Sequence, residues 1–334
     1  MAQTSSAEIR IQSLHQIGIV VKDVEKVAQN YWNILGIGPW TILTIRPPHM
    51  YERTYHGKPA YFESKIGLAQ VGPVELELME TVEGHTAYDD FMAKHGEGAN
   101  HLQYMVDNVG VIDKHVEIMA KKGFPFLMGG RFGSNGGFAY YDTVSALKTV
   151  WEAVKMPDEF SGPAITYPAD EAEVSPAKIK VKAITQVAIM VKNLEETMEN
   201  YWNLLGVGPW EIMECVPPML HDITYYGKPG NYTMRAGLTK VGPVELELIQ
   251  PISGDNVYSD FICEHGEGLH HIQFLVDDIN GTTKIMAKEG FPTVMSGWVS
   301  DGSYAYYDTV GPLKIIWEAF QVPKTMPPMT HYPK

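Results

Sequence analysis

The sequence predicts an α+β fold in which one domain occurs twice in tandem, each copy built from two βαβββ modules. Three observations predict it. Long motifs recur at a nearly constant spacing. Strand-like and helix-like periodicities alternate in the same order within each copy. The chain has 334 residues, enough for two ordinary domains.

The repeat fixes the architecture. NYWNILGIGPW from Asn30 to Trp40 returns as NYWNLLGVGPW from Asn200 to Trp210. YHGKP at Tyr55 returns as YYGKP at Tyr225, VGPVELEL is identical at Val71 and Val241, and HGEG occurs at His95 and His265. All share an offset of 170 residues, so no net insertion separates them. GFP at Gly123 and Gly290 gives an offset of 167, while AYYDTV (Ala139, Ala305) and WEA (Trp151, Trp317) give 166. The small deletions fall in loops of the second copy, where loops tolerate them. The domains are expected at 10–157 and 181–323, joined by a linker at 158–180 rich in Pro and acidic residues, with a Pro-rich tail at 324–334.

Within the first copy, LHQIGIVV reads as a strand. KDVEKVAQNYWNILG then switches to helical spacing, with Asp23 as N-cap, Val24, Val27, Tyr31 and Leu35 as the apolar stripe, and Gly36 as the stop. Two or three strands follow, ending in PVELELME, where Val74, Leu76 and Leu78 alternate with Glu75, Glu77 and Met79. After a short helix, NHLQYMV reads as a strand and VIDKHVEIMAKKG as a second amphipathic helix. FPFLMGG, GGFAYY and LKTVWEAV read as three more strands. Such a module cannot bury its sheet face alone, so paired modules share one curved sheet.

Composition excludes several classes. Hydrophobic residues make up 45% and charged residues 20%, a globular balance. A net charge of −14, with Lys and Arg scattered, repels nucleic acid. No stretch is long and apolar enough to span a membrane, and MAQTSSAEIR lacks the apolar core of a signal peptide. Cys215 and Cys263 support neither a disulfide framework nor a Cys-type zinc site. A cytoplasmic protein, monomeric or a homodimer of tandem chains, is expected.

In the first copy the first strand offers His15, the fourth Glu75 and Glu77 on one face, the fifth His101 and the eighth Glu152. Two imidazoles and two carboxylates converging on a concave surface suit a divalent transition metal with positions left open for substrate. The recurring Trp32, Trp40, Trp202 and Trp210 suit packing, His95 and His265 precede a turn, and His270 should face away from His271.

LHQIGIVVKDVEKVAQNYWNILG, HGEGANHLQYMVDN, HGEGLHHIQFLVDD, VELELME and VELELIQPI resemble motifs of the vicinal oxygen chelate superfamily, which includes glyoxalase I, methylmalonyl-CoA epimerase and the extradiol dioxygenases. The resemblance covers nearly the whole chain and implies a glyoxalase-like fold in each copy. It implies His15, Glu77, His101 and Glu152 as ligands of a divalent metal (cobalt, zinc, manganese, nickel, magnesium or iron), with Glu77 chosen because ELME matches the family's run. The second copy keeps Glu247, His271 and Glu318 but has Thr185 at the place of His15, with Gln186 expected on the other face, so its site is expected to be degenerate. Glu63 falls near a second base of the epimerases.

The expected activity is that of a metal-dependent isomerase or epimerase acting on a small-molecule ketone or thioester. It moves a proton next to a carbonyl, with Glu152 as proton carrier and Glu63 in reserve. An extradiol-type dioxygenase and a non-catalytic small-molecule binder are the alternatives. The loss of a second-domain imidazole at Thr185 argues against the dioxygenase.

Overall fold

A computed structural model describes residues 4–170, 172–325 and 328–333. The first copy runs β1 (Gln16–Val20), α1 (Val24–Leu35), β2 (Trp40–Ile45), β3 (Met50–Tyr55), β4 (Lys58–Pro59), β5 (Phe62–Val71), β6 (Val74–Gly84), α2 (Ala87–His95), β7 (Gly98–Met105), α3 (Val109–Lys121), β8 (Phe126–Phe132), β9 (Gly136–Tyr141), α4 (Val144–Leu147), β10 (Val150–Lys155) and β11 (Ala164–Tyr167). The second runs β12 (Gln186–Met190), α5 (Leu194–Leu205), β13 (Trp210–Cys215), β14 (Leu220–Tyr225), β15 (Lys228–Pro229), β16 (Thr233–Val241), β17 (Val244–Ser253), α6 (Val257–His265), β18 (Gly268–Leu275), α7 (Ile279–Lys288), β19 (Thr293–Val299), β20 (Gly302–Tyr307), α8 (Val310–Leu313), β21 (Ile316–Gln321) and β22 (Thr330–Tyr332).

Each copy forms one 11-stranded sheet, ordered β11-β2-β5-β6-β1-β7-β10-β9-β8-β3-β4 in the first. The two expected βαβββ modules are its two halves, β2-β5-β6-β1 and β7-β10-β9-β8. They are joined where β1 runs antiparallel to β7. The β3–β4 hairpin extends one edge. The proline-rich stretch after the first domain supplies β11 at the other, paired with β2. Thr330–Tyr332 of the tail pairs with β13 in the same way.

The first helix forms as its caps dictate. The Asp23 side chain accepts from the Lys26 N–H, Val24, Val27, Tyr31 and Leu35 are buried, and Gly36 ends the helix at φ 65. The strand read from Leu147 begins later, at Val150. Val144–Leu147 turn helically, and Thr143 Oγ1 donates to the Thr149 carbonyl at 2.7 Å to close the turn. Trp32, Trp40 and Trp210 are buried, in keeping with a packing role.

Among the described residues the chain divides into two compact units. One comprises Ser13–Ser145 and Thr149–Ala177. The other comprises Ala146–Lys148, Lys178 onward and the segment before Ser13. In the latter, Ser5 Oγ donates to the Trp202 carbonyl (2.5 Å), Ile11 N–H donates to the Leu205 carbonyl (3.0 Å), and Ile9 and Ile11 are buried. In the former, Ser175 repeats the contact on the Trp32 carbonyl (2.5 Å). No helix among the described residues is long and apolar enough to cross a membrane.

Candidate metal centre and cavity

Strand register decides which side chains meet. β1 pairs parallel with β6, matching Gln16 with Glu75 and Gly18 with Glu77. It pairs antiparallel with β7, matching Gln16 with Gln103 and Gly18 with His101. β10 sets Glu152 against Gln103, and β9 sets Tyr140 against Glu152. Side chains two residues apart share a face, so Gln16, Glu75, Glu77, His101, Gln103, Glu152 and Tyr140 share one side of the sheet. The middle of the chemistry is tight. Glu77, His101 and Glu152 each offer a ligand atom within 4.8 Å of the others. His101 Nε2 stands 3.3 Å from a carboxylate oxygen of each glutamate.

The centre is buried and incompletely satisfied. His101 is fully buried, and Glu77 and Glu152 nearly so. The close His101–carboxylate contacts are not aligned as hydrogen bonds, leaving Glu77 Oε2 and both ring nitrogens of His101 without a hydrogen-bond partner. Buried polar atoms are seldom left so. Burial opposes a charge on His101, but the Glu152 and Glu77 carboxylates outweigh it and raise the imidazole pKa. Burial raises the pKa of Glu77, and His101 offsets only part of that. Two carboxylates and an imidazole with free lone pairs fit a divalent metal.

A second row of amides holds the centre. Gln16 Nε2 donates to Glu75 Oε1 (2.7 Å), and Gln103 Nε2 donates to both Gln16 Oε1 and Glu152 Oε2, the latter at 3.0 Å. Behind His101, Tyr140 lies edge-on with ring centroids 4.9 Å apart, and its hydroxyl meets that of Tyr88 at 3.0 Å. On this face opens a cavity of about 640 Å³ including its mouth, lined by Gln16, Glu75, Glu77, Gln103 and Glu152 and by apolar side chains of β2, β5, β8 and β9.

Glu77, His101 and Glu152 thus come together as expected, and Glu75 shares their face. His15 does not join them. It precedes β1, half-buried, with its N–H on the Gln103 carbonyl (2.9 Å) and its carbonyl accepting from Glu75 N–H (3.0 Å). It belongs to neither the ligand group nor the cavity wall. Its neighbour Gln16 takes the inward position, one residue out from the expected register. Glu63 is also displaced. Phe62 and Ser64 line the cavity, so Glu63 between them faces the other way, where its carboxylate accepts from the Tyr61 hydroxyl at 2.6 Å. The residues missed were Gln16, Gln103, Tyr88 and Tyr140. Each recurs in the second copy, as Gln186, Gln273, Tyr258 and Tyr306.

The second domain repeats the centre. His271 Nε2 lies 3.6 Å from Glu247 and 3.3 Å from Glu318. Gln186 donates to Glu245 (2.7 Å) and accepts from Gln273 (2.9 Å), which also donates to Glu318 (3.0 Å). Gln186 therefore faces inward, and Thr185, at the place of His15, does not stand at a ligand position. His270 does not turn away. β18 shifts register there, and His270 Nδ1 lies 2.9 Å from His271 Nδ1.

A duplicated α+β protein with a buried Glu–His–Glu group able to hold a divalent metal is the class that fold and site define. The chain matches the profile of the glyoxalase/bleomycin resistance protein/dioxygenase superfamily over residues 15–141 and 185–307 and belongs to that superfamily. It is 29% identical over 113 residues to a mitochondrial methylmalonyl-CoA epimerase of Dictyostelium discoideum, covering 34% of this chain and 60% of that protein. The human mitochondrial enzyme is 27% identical over 107 residues, covering 32% of this chain and 53% of that protein. A variant of 4-hydroxymandelate synthase from Streptomyces coelicolor shares the fold with a TM-score of 0.59 at 14% identity, over 94% of this chain and 93% of that one.

Proposed function

We propose that the chain is an isomerase that moves a proton at a carbon next to a carbonyl, working in the first-domain cavity. One observation carries the reading: Glu77 and Glu152, which meet His101, stand in the wall of a cavity whose remaining lining is largely apolar. A divalent metal held by these three residues would supply Lewis-acid stabilisation of the negative charge that develops on a carbonyl oxygen when the neighbouring C–H is deprotonated.

The protein's own residues do the rest. Glu152 lines the cavity and is held by the Gln103 amide, so it can carry the proton between substrate carbon and the opposite face or solvent. Glu75 takes the reserve role once assigned to Glu63. It lines the cavity, and burial raises its pKa toward that of a working base. The apolar wall excludes water from the reacting carbon.

A ring-cleaving or hydroxylating oxygenase is the second reading. Its usual iron site takes two imidazoles and one carboxylate. The first-domain group offers one imidazole and two carboxylates, which favours proton transfer. Thr185 does not bear on this choice, since His15, whose place it takes, stands outside the Glu77–His101–Glu152 group. The test is metal-loaded protein in D₂O with a panel of 2-substituted ketones and 2-branched acyl thioesters, followed by proton NMR. Deuterium should appear at the carbon next to the carbonyl. Exchange no faster than with metal-stripped protein, or turnover only with O₂ consumption, defeats the reading.

A further inference from the structure

The cavity has two unlike ends. The central strands β6, β1 and β10 contribute Gln16, Glu77 and Glu152 at one end, while Leu43, Ile45, Phe62, Ile66, Phe132 and Phe138 of the flanking strands build much of the rest. Among the described residues lining it there is no Lys and no Arg. Its titratable groups are three glutamates and two tyrosines. Arg53 is committed elsewhere, donating to the Phe62 carbonyl (2.7 Å) with its guanidinium 4.6 Å from the centre of the Tyr61 ring. A carboxylate or phosphate on the body of a substrate would leave water for apolar surface and meet no cation, which is costly.

The second domain sharpens the point, because it repeats the Glu–His–Glu group and the amides beside it and differs at positions equivalent to the cavity wall. Tyr232 stands at the place of Phe62 and Tyr304 at the place of Phe138. Their hydroxyls bond each other at 2.8 Å, both buried. At these two positions the second domain carries a hydroxyl bridge where the first has only the rings of Phe62 and Phe138. Duplicates that keep their chemistry and differ in the wall differ in what the wall touches.

We propose that the first-domain site takes a neutral, aromatic-bodied ketone, its carbonyl toward the Glu77–His101–Glu152 end and its ring against Phe62, Phe132 and Phe138, and that it rejects acyl groups bearing a free carboxylate. The carbonyl's orientation rests on the proton-transfer reading. The neutral aromatic body rests on the wall alone.

The experiment is calorimetric titration of the full chain with 4-chromanone and with 4-oxochroman-2-carboxylate, which differ by one carboxylate. The neutral ketone should bind at least tenfold more tightly. Phe62→Tyr with Phe138→Tyr imports the second-domain bridge and should cost chromanone affinity about tenfold. Phe138→Leu keeps the wall apolar and should keep the preference, with unfolding temperatures showing that both variants fold. Phe138→Lys should narrow or reverse the preference. Equal or tighter binding of the carboxylate by the unchanged protein, or a double variant that binds chromanone as before, overturns the proposal. Binding preference without deuterium exchange sinks the reaction and keeps the ligand class. Exchange on carboxylated acyl groups with no chromanone binding does the reverse.

Discussion

The imidazole of His101 occupies the space a side chain at Gly18 would fill: a Cβ there would come within 2.0 Å of the ring. In the first domain the cross-strand pair of β1 and β7, with the ring of His101 where it stands, therefore leaves no room for a Cβ at that position. Gly18→Ala should push the ring aside and weaken metal binding by about 10- to 100-fold, the scale on which residues supporting metal ligands act. Competition with a chromophoric chelator would read it. Unchanged affinity would mean that the ring is free to move without consequence.

The second domain carries that change already, with Ala188 registered opposite His271. His271 Nδ1 is also engaged by His270. Although both domains bring together the same residues, the first should hold its metal the more tightly. About one tightly bound divalent ion per chain is expected after dialysis. His101→Ala should remove it, and His271→Ala should leave it. Elemental analysis with the opposite pattern would reassign the working site.

Why the sequence points to His15 where the structure turns Gln16 inward is visible in the burial of β1. All five of its residues are buried, so no alternation of apolar and polar marks which face each takes. A slip of one residue then exchanges His15 for Gln16. β6 is the contrast: its VELEL alternation fixed the face of Glu77 from the sequence. In β5 the apolar Phe62, Ile66 and Leu68 share a face that Glu63 cannot, a pattern that the expectation of Glu63 as a base leaves unused. The register shift that turns His270 toward His271 leaves no mark in composition. The repeat, the helix caps and the module order were plain because each rests on spacing along the chain, and spacing survives without knowledge of contacts.

The amide row is the next test. Gln103 alone joins Gln16 to Glu152. Gln103→Leu keeps the volume roughly and removes the donors, leaving the buried Gln16 carbonyl and the Glu152 carboxylate each short of a partner. The expected loss is about 1–3 kcal/mol of stability, measured by urea unfolding. If the proposed proton transfer is the activity, its turnover should fall as Glu152 loses its hold. A variant as stable and as active as the parent would make the row incidental.

The segment before β1 should matter to the domain it joins. Ile9 and Ile11 are buried against the unit that begins at Lys178. Burying one such side chain contributes about 1.5–3 kcal/mol, part of it offset by the cost of ordering the segment. Removing residues 1–12 should destabilise that unit by about 2 kcal/mol. For a unit of this size the shift in melting temperature is about 4–8 °C. Calorimetry should find one of two transitions moved down and the other unchanged. No shift in either would make the segment a passive appendage.

The proposed proton transfer turns on Glu152. It faces the cavity from β10, nearly buried, with one carboxylate oxygen held by Gln103 and the same oxygen 3.3 Å from His101 Nε2. A group so placed beside the reacting carbon can take and return a proton without moving the strand that carries it. Glu152→Gln keeps shape and removes basicity, and turnover should fall by about 10² or more, the scale of general acid–base catalysis. An amide oxygen can still coordinate, so rates must be compared per bound metal. Glu75→Gln should cost less if Glu75 is the reserve and as much if two bases work on opposite faces. Deuterium wash-in separates these cases. With one base, exchange and inversion fall together in Glu152→Gln. With two, exchange on one stereoisomer survives while inversion is lost. Full turnover in Glu152→Gln at equal metal content would remove this residue from the proton's path and leave Glu75 as the carboxylate to test.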